Sequence, residues 1–175
     1  MTGRLIGVVG PSGAGKDTVM EALVARDPRY GLVRRVITRP QDSGGEAHEA
    51  VSATEFARRR ADGAFCLNWD AHGLSYGIPA EALDAVRHGR DMLVNLSRSV
   101  LDQAAGAAPH FVVLHITARP DTLARRLSAR GREGAAQIHE RLGRTAPGWP
   151  AGVEILTVEN EGLLDDTVAQ VIALL

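Results

Sequence analysis

Lysine is almost missing from this chain. Lys+Arg total 20 over 175 residues, yet Lys16 is the sole lysine and every other basic residue is arginine. Alanine and glycine are abundant as well, so a compositional bias toward Arg, Ala and Gly accounts for the arginine excess. It leaves unexplained why the surviving lysine stands at position 16. Cysteine is equally scarce: Cys66 alone excludes an internal disulfide, sits in an apolar run as an inert buried thiol would, and points to a reducing compartment. Long apolar runs are missing too. The stretch from Leu5 to Val9 is too short for the apolar centre of a signal peptide, and nothing later approaches a membrane span. A soluble, cytoplasmic protein with no membrane partner is expected. An excess of charge is also lacking, with 20 Lys+Arg against 21 Asp+Glu and a formal net charge of -1. No global attraction to nucleic acid or to an anionic membrane follows from that balance. What remains, 45% hydrophobic and 23% charged residues over the length of one domain, supplies a core and excludes a disordered or collagen-like chain.

Short β-rich runs at Arg4 to Val9, Leu32 to Ile37, Asp91 to Leu96, Phe111 to Ile116 and Val153 to Val158 read as buried strands. Helical periodicity separates them: Val19, Met20, Leu23 and Val24 lie on one face, and further helices are expected over Ala80–His88, Ser99–Ala105, Pro120–Ala129, Glu133–Arg144 and Gly162–Leu174. Strands alternating with helices predict an α/β fold, a parallel sheet flanked by helices. The segment from Pro40 to Pro79 breaks that rhythm, with Gly44-Gly45, a helix near Thr54 to Ala61 and two strand-like runs at Phe65–Trp69 and Leu74–Gly77. It reads as an inserted subdomain.

The strongest chemical signal is Gly10-Pro11-Ser12-Gly13-Ala14-Gly15-Lys16, placed after the first strand and at the start of the first helix. In that context G-x-x-x-x-G-K is a phosphate-binding loop. Glycines let backbone N–H groups turn toward phosphate oxygens, the helix N-terminus adds positive potential, and the lysine reaches the outer phosphates. The hydroxyl residue that should follow is replaced by Asp17, with Thr18 next. An aspartate in the first helical turn gains under about 1 kcal/mol from the helix dipole, a small return for facing a triphosphate. A divalent cation between them reverses the sign, which makes Asp17 or Thr18 the expected Mg²⁺ ligand. The strand Met92 to Ser97 has no carboxylate at its end, so the acidic role can have moved from strand to loop.

The loop, together with Thr38-Arg39-Pro40, Gly45-Glu46, Trp69, His72-Gly73, Tyr76-Gly77, Arg126-Leu127, Arg130-Gly131, Arg141-Leu142 and Asn160, resembles the guanylate kinase family over nearly the whole chain. The resemblance implies a P-loop, nucleoside-monophosphate-kinase-like fold. Its core would comprise residues 1–39, 80–125 and 145–175, its acceptor-binding insertion 40–79 and its arginine-bearing lid 126–144. The departures bear on the acceptor. Positions where guanylate kinases read guanine appear here as Arg35, Leu67, Ile78 and Ser97, and a site that loses its polar partners loses discrimination steeply. With Glu46-Ala47-His48-Glu49, Leu93-Val94-Asn95 and Ser97-Arg98, the chain more closely resembles the ribose 1,5-bisphosphate phosphokinase branch. That branch implies γ-phosphoryl transfer from ATP to the 1-phosphate of ribose 1,5-bisphosphate, giving 5-phosphoribosyl 1-diphosphate in phosphonate catabolism.

The implied machinery is Lys16 on the outer phosphates, amides from Ser12 to Lys16 on the inner ones, and Mg²⁺ on Asp17 or Thr18. Arg126, Arg130 and Arg141 would close over the transferring group, and Asn160 would stand near adenine. A planar arginine fork suits bidentate phosphate contact. Arg39 matches an acceptor-phosphate arginine, and Arg35 and Arg98 are available to the second phosphate. Glu46, His48, Asn68, Asp70, His72 and Tyr76 are available to hydroxyls. For any lid arginine the competing assignment is a solvated helix face, as for Arg58 to Arg60. The histidines show no metal-binding spacing. The alternatives are guanylate kinase, another small-molecule kinase of this fold, or a phosphoprotein-binding module without catalysis. Oligomeric state stays open, a homodimer included.

Overall fold

Leu5–Val9 (β1) is apolar at every position and buried at every position, the signature of a central parallel strand covered on both faces. In the computed structural model, which describes residues 2–41, 46–129 and 148–175, β1 lies in the middle of a five-stranded sheet. The other strands are β2 (Tyr30–Leu32), β7 (Asp91–Asn95), β8 (Phe111–Thr117) and β9 (Glu154–Glu159), in the order β2-β7-β1-β8-β9 with every pairing parallel. Between and after them run α1 (Lys16–Arg26), α3 (Glu81–Arg87), α4 (Leu101–Ala107), α5 (Pro120–Ala129) and α6 (Leu164–Leu174). Alternate residues of β1 feed two cores. Leu5 and Val9 join Val94, Val113 and Leu101 on one face, while Ile6 and Val8 join Val19, Leu23, Leu114 and Val168 on the other.

A second sheet has the order β4-β3-β6-β5, from β3 (Val36–Ile37), β4 (Glu49–Ala50), β5 (Phe65–Ala71) and β6 (Leu74–Pro79). The helix α2 (Ala53–Ala61) accompanies it. Ser52 caps that helix by accepting from the Glu55 N–H at 3.1 Å, and Phe56 anchors it in the interior. The single strand expected over Leu32–Ile37 is in fact two. The chain leaves the first sheet after Leu32 and enters the second at Val36, so one apolar run serves both sheets and the second takes in residues 36–79. Leu67, Trp69 and Ile78 of this sheet belong to the same core cluster as Leu5 and Val94, so the two sheets share an interior.

Because the five strands are parallel, their C-terminal ends form one rim, the usual ligand edge of such sheets. The turn after β1, the turn after β7, the start of α5 and the residues after β9 all lie on it. The expected helix Glu133–Arg144, most of the expected lid, and Arg130 and Arg141 within it lie outside the described residues. Among the described residues, no helix is long and apolar enough to cross a membrane.

Candidate active site

The loop between β1 and α1 has the backbone its glycines require. Gly15 stands at the helix N-cap with φ 85°, a left-handed conformation, and no side chain caps the helix, so the first amides of α1 keep their donors for a ligand. Gly10 lies so close to the next strand that a Cβ there would stand 1.9 Å from the Ile116 carbonyl oxygen. Lys16 folds back over the loop, its Nζ donating to the carbonyls of Gly10 (2.9 Å) and Pro11 (3.2 Å). Pro11 and Ser12 are partly exposed, whereas Gly13 and Ala14 are buried. Anion-binding donors and one ammonium therefore converge at the C-terminal end of the central strand.

Two side chains brace this loop from behind. Asn160, just beyond β9 and 7% exposed, donates to the Ala14 carbonyl at 2.9 Å and accepts from the Thr167 hydroxyl at 3.0 Å. Arg126 on α5 donates to the carbonyls of Gly13 (3.3 Å) and Asn160 (2.9 Å). Both residues thus hold the loop's shape in this arrangement.

On the open side, Asp17 is half-buried and Thr18, the next residue round the helix, is exposed. The Asn95 side-chain amide at the end of β7 donates to Asp17 Oδ1 (3.3 Å) and to Glu46 Oε2 (2.7 Å). Burial, and then the charge of Glu46, push the Asp17 carboxyl above its usual range against the opposing pull of Lys16, Arg35 and Asn95. Glu46 has Arg35 as its cation, and Asp17, with Lys16 and Arg35 acting on it from nearby, is the carboxylate that could hold a divalent cation. Asp17 is better placed than Thr18 to hold it.

Glu46 links this corner to the second sheet, since its Oε1 accepts from Arg35 Nε at 2.5 Å, each side chain being 12% exposed. The Arg35 guanidinium also lies over a stacked aromatic pair. Its carbon is 5.2 Å from the Tyr76 ring centre and 5.9 Å from that of Trp69, and the two rings stack across β5 and β6 with centres 5.2 Å apart. Leu67 and Ile78, paired on neighbouring strands, are wholly buried. They are core, and present no surface on which a base edge could be read.

Arg39 is held by His48, itself 3% exposed. The ring Nε2 meets the Arg39 carbonyl (3.1 Å), and Nδ1 meets Arg39 Nη2 (3.2 Å) and the Glu46 carbonyl (3.1 Å). Nε2 can donate to the Arg39 carbonyl, whereas Nδ1 stands between a donor, Arg39 Nη2, and an acceptor, the Glu46 carbonyl, and can serve one of them at a time. Arg39 Nε is buried and, among the described residues, is without a hydrogen-bond partner. A buried guanidinium donor without an acceptor is costly, and an anion supplies the missing acceptor.

Other expected residues lie elsewhere. Arg98 stacks on Trp149, its guanidinium carbon 3.7 Å from the ring centre, with His115 alongside, so it belongs to a different side-chain group from Arg35 and Arg39. Asp70 pairs with Arg60 and accepts from the Ser75 hydroxyl. Arg58 and Arg59 pair with Glu55, Asp62 and Glu49 in a solvated ion-pair face. His72 occupies the β5–β6 turn with φ 54°. The sequence pattern alone did not mark Asn95 or the ring pairing of Trp69 as parts of the site. Asn95 stood in the Leu93-Val94-Asn95 motif and at the end of a strand without a carboxylate, and neither signal gave it a role.

The family described as "Guanylate kinase" matches residues 2–174. A "Ribose 1,5-bisphosphate phosphokinase PhnN" from Ruegeria sp. (strain TM1040) is 45% identical, with 99% of this chain and 92% of the relative covered. A "Bifunctional ribose 1,5-bisphosphokinase-thymidine phosphorylase" from Cupriavidus necator is also 45% identical over 97% of this chain, which spans only 28% of that longer protein's length. Among solved structures, a guanylate kinase from Anaplasma phagocytophilum superposes with a TM-score of 0.70 at 20% identity, covering 99% of this chain and 84% of that one.

Proposed function

The chain belongs to the guanylate kinase family, and from that premise we propose that it phosphorylates ribose 1,5-bisphosphate at the 1-phosphate with ATP. The products are 5-phosphoribosyl 1-diphosphate and ADP. Relatives named as ribose 1,5-bisphosphate phosphokinases, of which 92% and 95% of the length are covered, support the acceptor. The single structural observation that carries it is the pair of arginines flanking β3, Arg35 just before it and Arg39 just after it. Arg39 offers a buried, unpaired Nε, and Arg35 leaves its Nη groups beyond the Glu46 bond, which provides for an acceptor with phosphate at both ends.

The chemistry is an attack by an oxygen of the acceptor's 1-phosphate on the γ-phosphorus. One P–O bond forms, the bond to the β-bridging oxygen breaks, and ADP leaves with that electron pair. The attacking oxygen is already ionised near neutral pH, so no general base is required, and catalysis is positioning and charge neutralisation. Amides from Ser12 to Lys16 hold the inner phosphates. The Lys16 ammonium exchanges its carbonyl partners for β- and γ-phosphate oxygens and stabilises the charge that grows on the leaving group. Asp17, with Asn95 orienting it, is the residue to hold Mg²⁺, and Thr18 is the alternative ligand. When bound, the ion supplies neutralisation of phosphate charge. Arg126 is poised beside the loop to turn toward the transferring group, and by family resemblance Arg130 and Arg141 join it. Glu46 and Tyr76 are the candidates for the acceptor's hydroxyls, His48 is buried against Arg39 and orients it, and Arg98 is the outlying candidate.

A role in phosphonate catabolism and a cytoplasmic location are part of the same proposal. A coupled ADP-release assay with ATP, Mg²⁺ and ribose 1,5-bisphosphate, GMP or AMP tests it. Turnover on the bisphosphate is expected, and turnover on GMP alone overturns the assignment.

A further inference from the structure

The turn beyond β9 does more than carry the Asn160 amide to the phosphate loop. Glu161, the next residue, directs its carboxylate to the start of α5, where Oε1 accepts from the Arg119 N–H at 2.5 Å and Oε2 from the Thr122 hydroxyl at 2.8 Å. Pro120, the first residue of that helix, has no N–H to offer, and a carboxylate at a helix N-terminus meets the positive end of its dipole. The Arg119 N–H first, then the Thr122 hydroxyl and the charges of Arg119 and Arg126, keep the Glu161 carboxyl below its usual range against partial desolvation. It is therefore an anion at neutral pH.

One turn further along α5, Arg126 donates to the Asn160 carbonyl, in the peptide group that leads into Glu161, at 2.9 Å and to the Gly13 carbonyl at 3.3 Å. Thr122 and Arg126 are four residues apart and share a face of the helix. The pair Asn160-Glu161 thus holds that face at two levels and holds the phosphate loop through the Asn160 amide. The helix also lies directly against the loop, since a Cβ on Gly13 would stand 3.2 Å from Leu127 Cγ and 3.4 Å from the Leu123 carbonyl oxygen. A Gly13 carbonyl kept inward by Arg126 leaves the loop's amides turned the other way, toward phosphate.

We infer that Glu161 is a positioning residue for the nucleotide: it fastens the N-terminal end of α5 so that Arg126 meets the Gly13 carbonyl, and it supports nucleotide affinity through Arg126. The inference deepens the proposed function, since it rests on the loop being a nucleotide site, and it does not depend on which acceptor is phosphorylated.

The test is calorimetric titration of ADP with Mg²⁺, which reads the loop without a transferring phosphoryl group. Wild type, Glu161→Ala, Arg126→Ala and the double variant form a cycle, with Glu161→Gln beside them and cooperative melting checked for each. Glu161→Ala is expected to raise the ADP dissociation constant at least about fivefold in the wild-type background and less than about twofold once Arg126 is gone. Gln keeps one accepting oxygen, so Glu161→Gln recovers part of the loss. A Glu161 that serves stability alone lowers the melting temperature and leaves ADP binding unchanged, which overturns the inference; an equal shift in both backgrounds overturns it too. If Glu161→Ala does not melt cooperatively, Glu161→Gln takes its place in the cycle, and failure of both to melt cooperatively overturns the positioning role. A wild type that binds ADP and fails to phosphorylate ribose 1,5-bisphosphate overturns the proposed function alone, whereas a wild type that binds no ADP overturns both.

Discussion

Asn160 and Ala14 stand 146 positions apart in sequence and are joined by a 2.9 Å hydrogen bond, the amide beyond the last strand donating to a carbonyl inside the phosphate loop. Without that donor the Ala14 carbonyl is an acceptor facing a largely buried side of the loop. The loop's outward-turned amides are thus supported by inward-turned carbonyls that have partners of their own, from Asn160, Arg126 and Lys16. The likeness to guanylate kinases put Asn160 near adenine. The geometry gives it a bracing position.

Asn160→Ala is expected to destabilise the protein by about 1–3 kcal/mol, because it leaves the Ala14 carbonyl and the Thr167 hydroxyl without their shared partner. Denaturant unfolding measures this. The KM for ATP should rise more than kcat falls, because the loop loses its bound shape before any transferring group is affected.

Lys16→Arg is expected to lower kcat by at least about 100-fold with the fold intact. The ammonium sits between two loop carbonyls at 2.9 and 3.2 Å, a place a compact point charge fills and a wide planar fork does not. Steady-state rates with far-ultraviolet circular dichroism check it. Near-normal activity would mean that the single lysine is replaceable.

Asp17→Asn is expected to raise the Mg²⁺ concentration needed for half-maximal rate by at least about tenfold. Burial and Glu46 already hold this carboxyl above its ordinary range, so its ionised form works against the fold, and that cost grows as pH rises through its folded value. The metal-free melting temperature at neutral pH should therefore not fall in the variant. A fall would show that Asp17 is a structural anion.

His48→Ala is expected to raise the KM for the acceptor about tenfold with a smaller change in kcat, since the ring orients Arg39 and touches no reacting atom. The stability cost of about 1–3 kcal/mol appears in the same preparation. An unchanged acceptor KM removes the orienting role.

Cys66 is expected to react slowly with Ellman's reagent in the folded protein at pH 8. Burial pushes its thiol up to about 11, and its Sγ donates to the carbonyls of Ile78 and Pro79. The thiolate is then roughly one part in a thousand of the population at that pH. Denaturation should restore an ordinary rate.

The sequence made the nucleotide side of the site legible because that side is local: strand, glycine loop and helix follow one another within Leu5–Arg26, and each demands particular residue types. The parallel sheet followed from alternation for the same reason. The acceptor side was only partly legible. Arg35, Arg39, Glu46 and His48 could be named from motif register, yet their pairing depends on which sheet each belongs to. The run Leu32–Ile37 concealed a change of sheet, because buried strands of either sheet are apolar and two short ones in succession look like one. Asn95 was named in a motif but given no role, because its contact with Asp17 spans 78 positions and no propensity records such a distance.

Glu46 offers one carboxylate oxygen to Arg35, proposed to face the acceptor, and the other to Asn95, whose amide also reaches Asp17, proposed to hold Mg²⁺. An acceptor that draws Arg35 toward its phosphate changes the charge Asn95 and Asp17 experience, and a cation on Asp17 changes how tightly Glu46 grips Arg35. The two ligands are thereby thermodynamically linked: whatever factor one applies to the other's affinity is returned in equal measure. On the proposed assignments, donor and acceptor sites would be coupled through a single shared side chain.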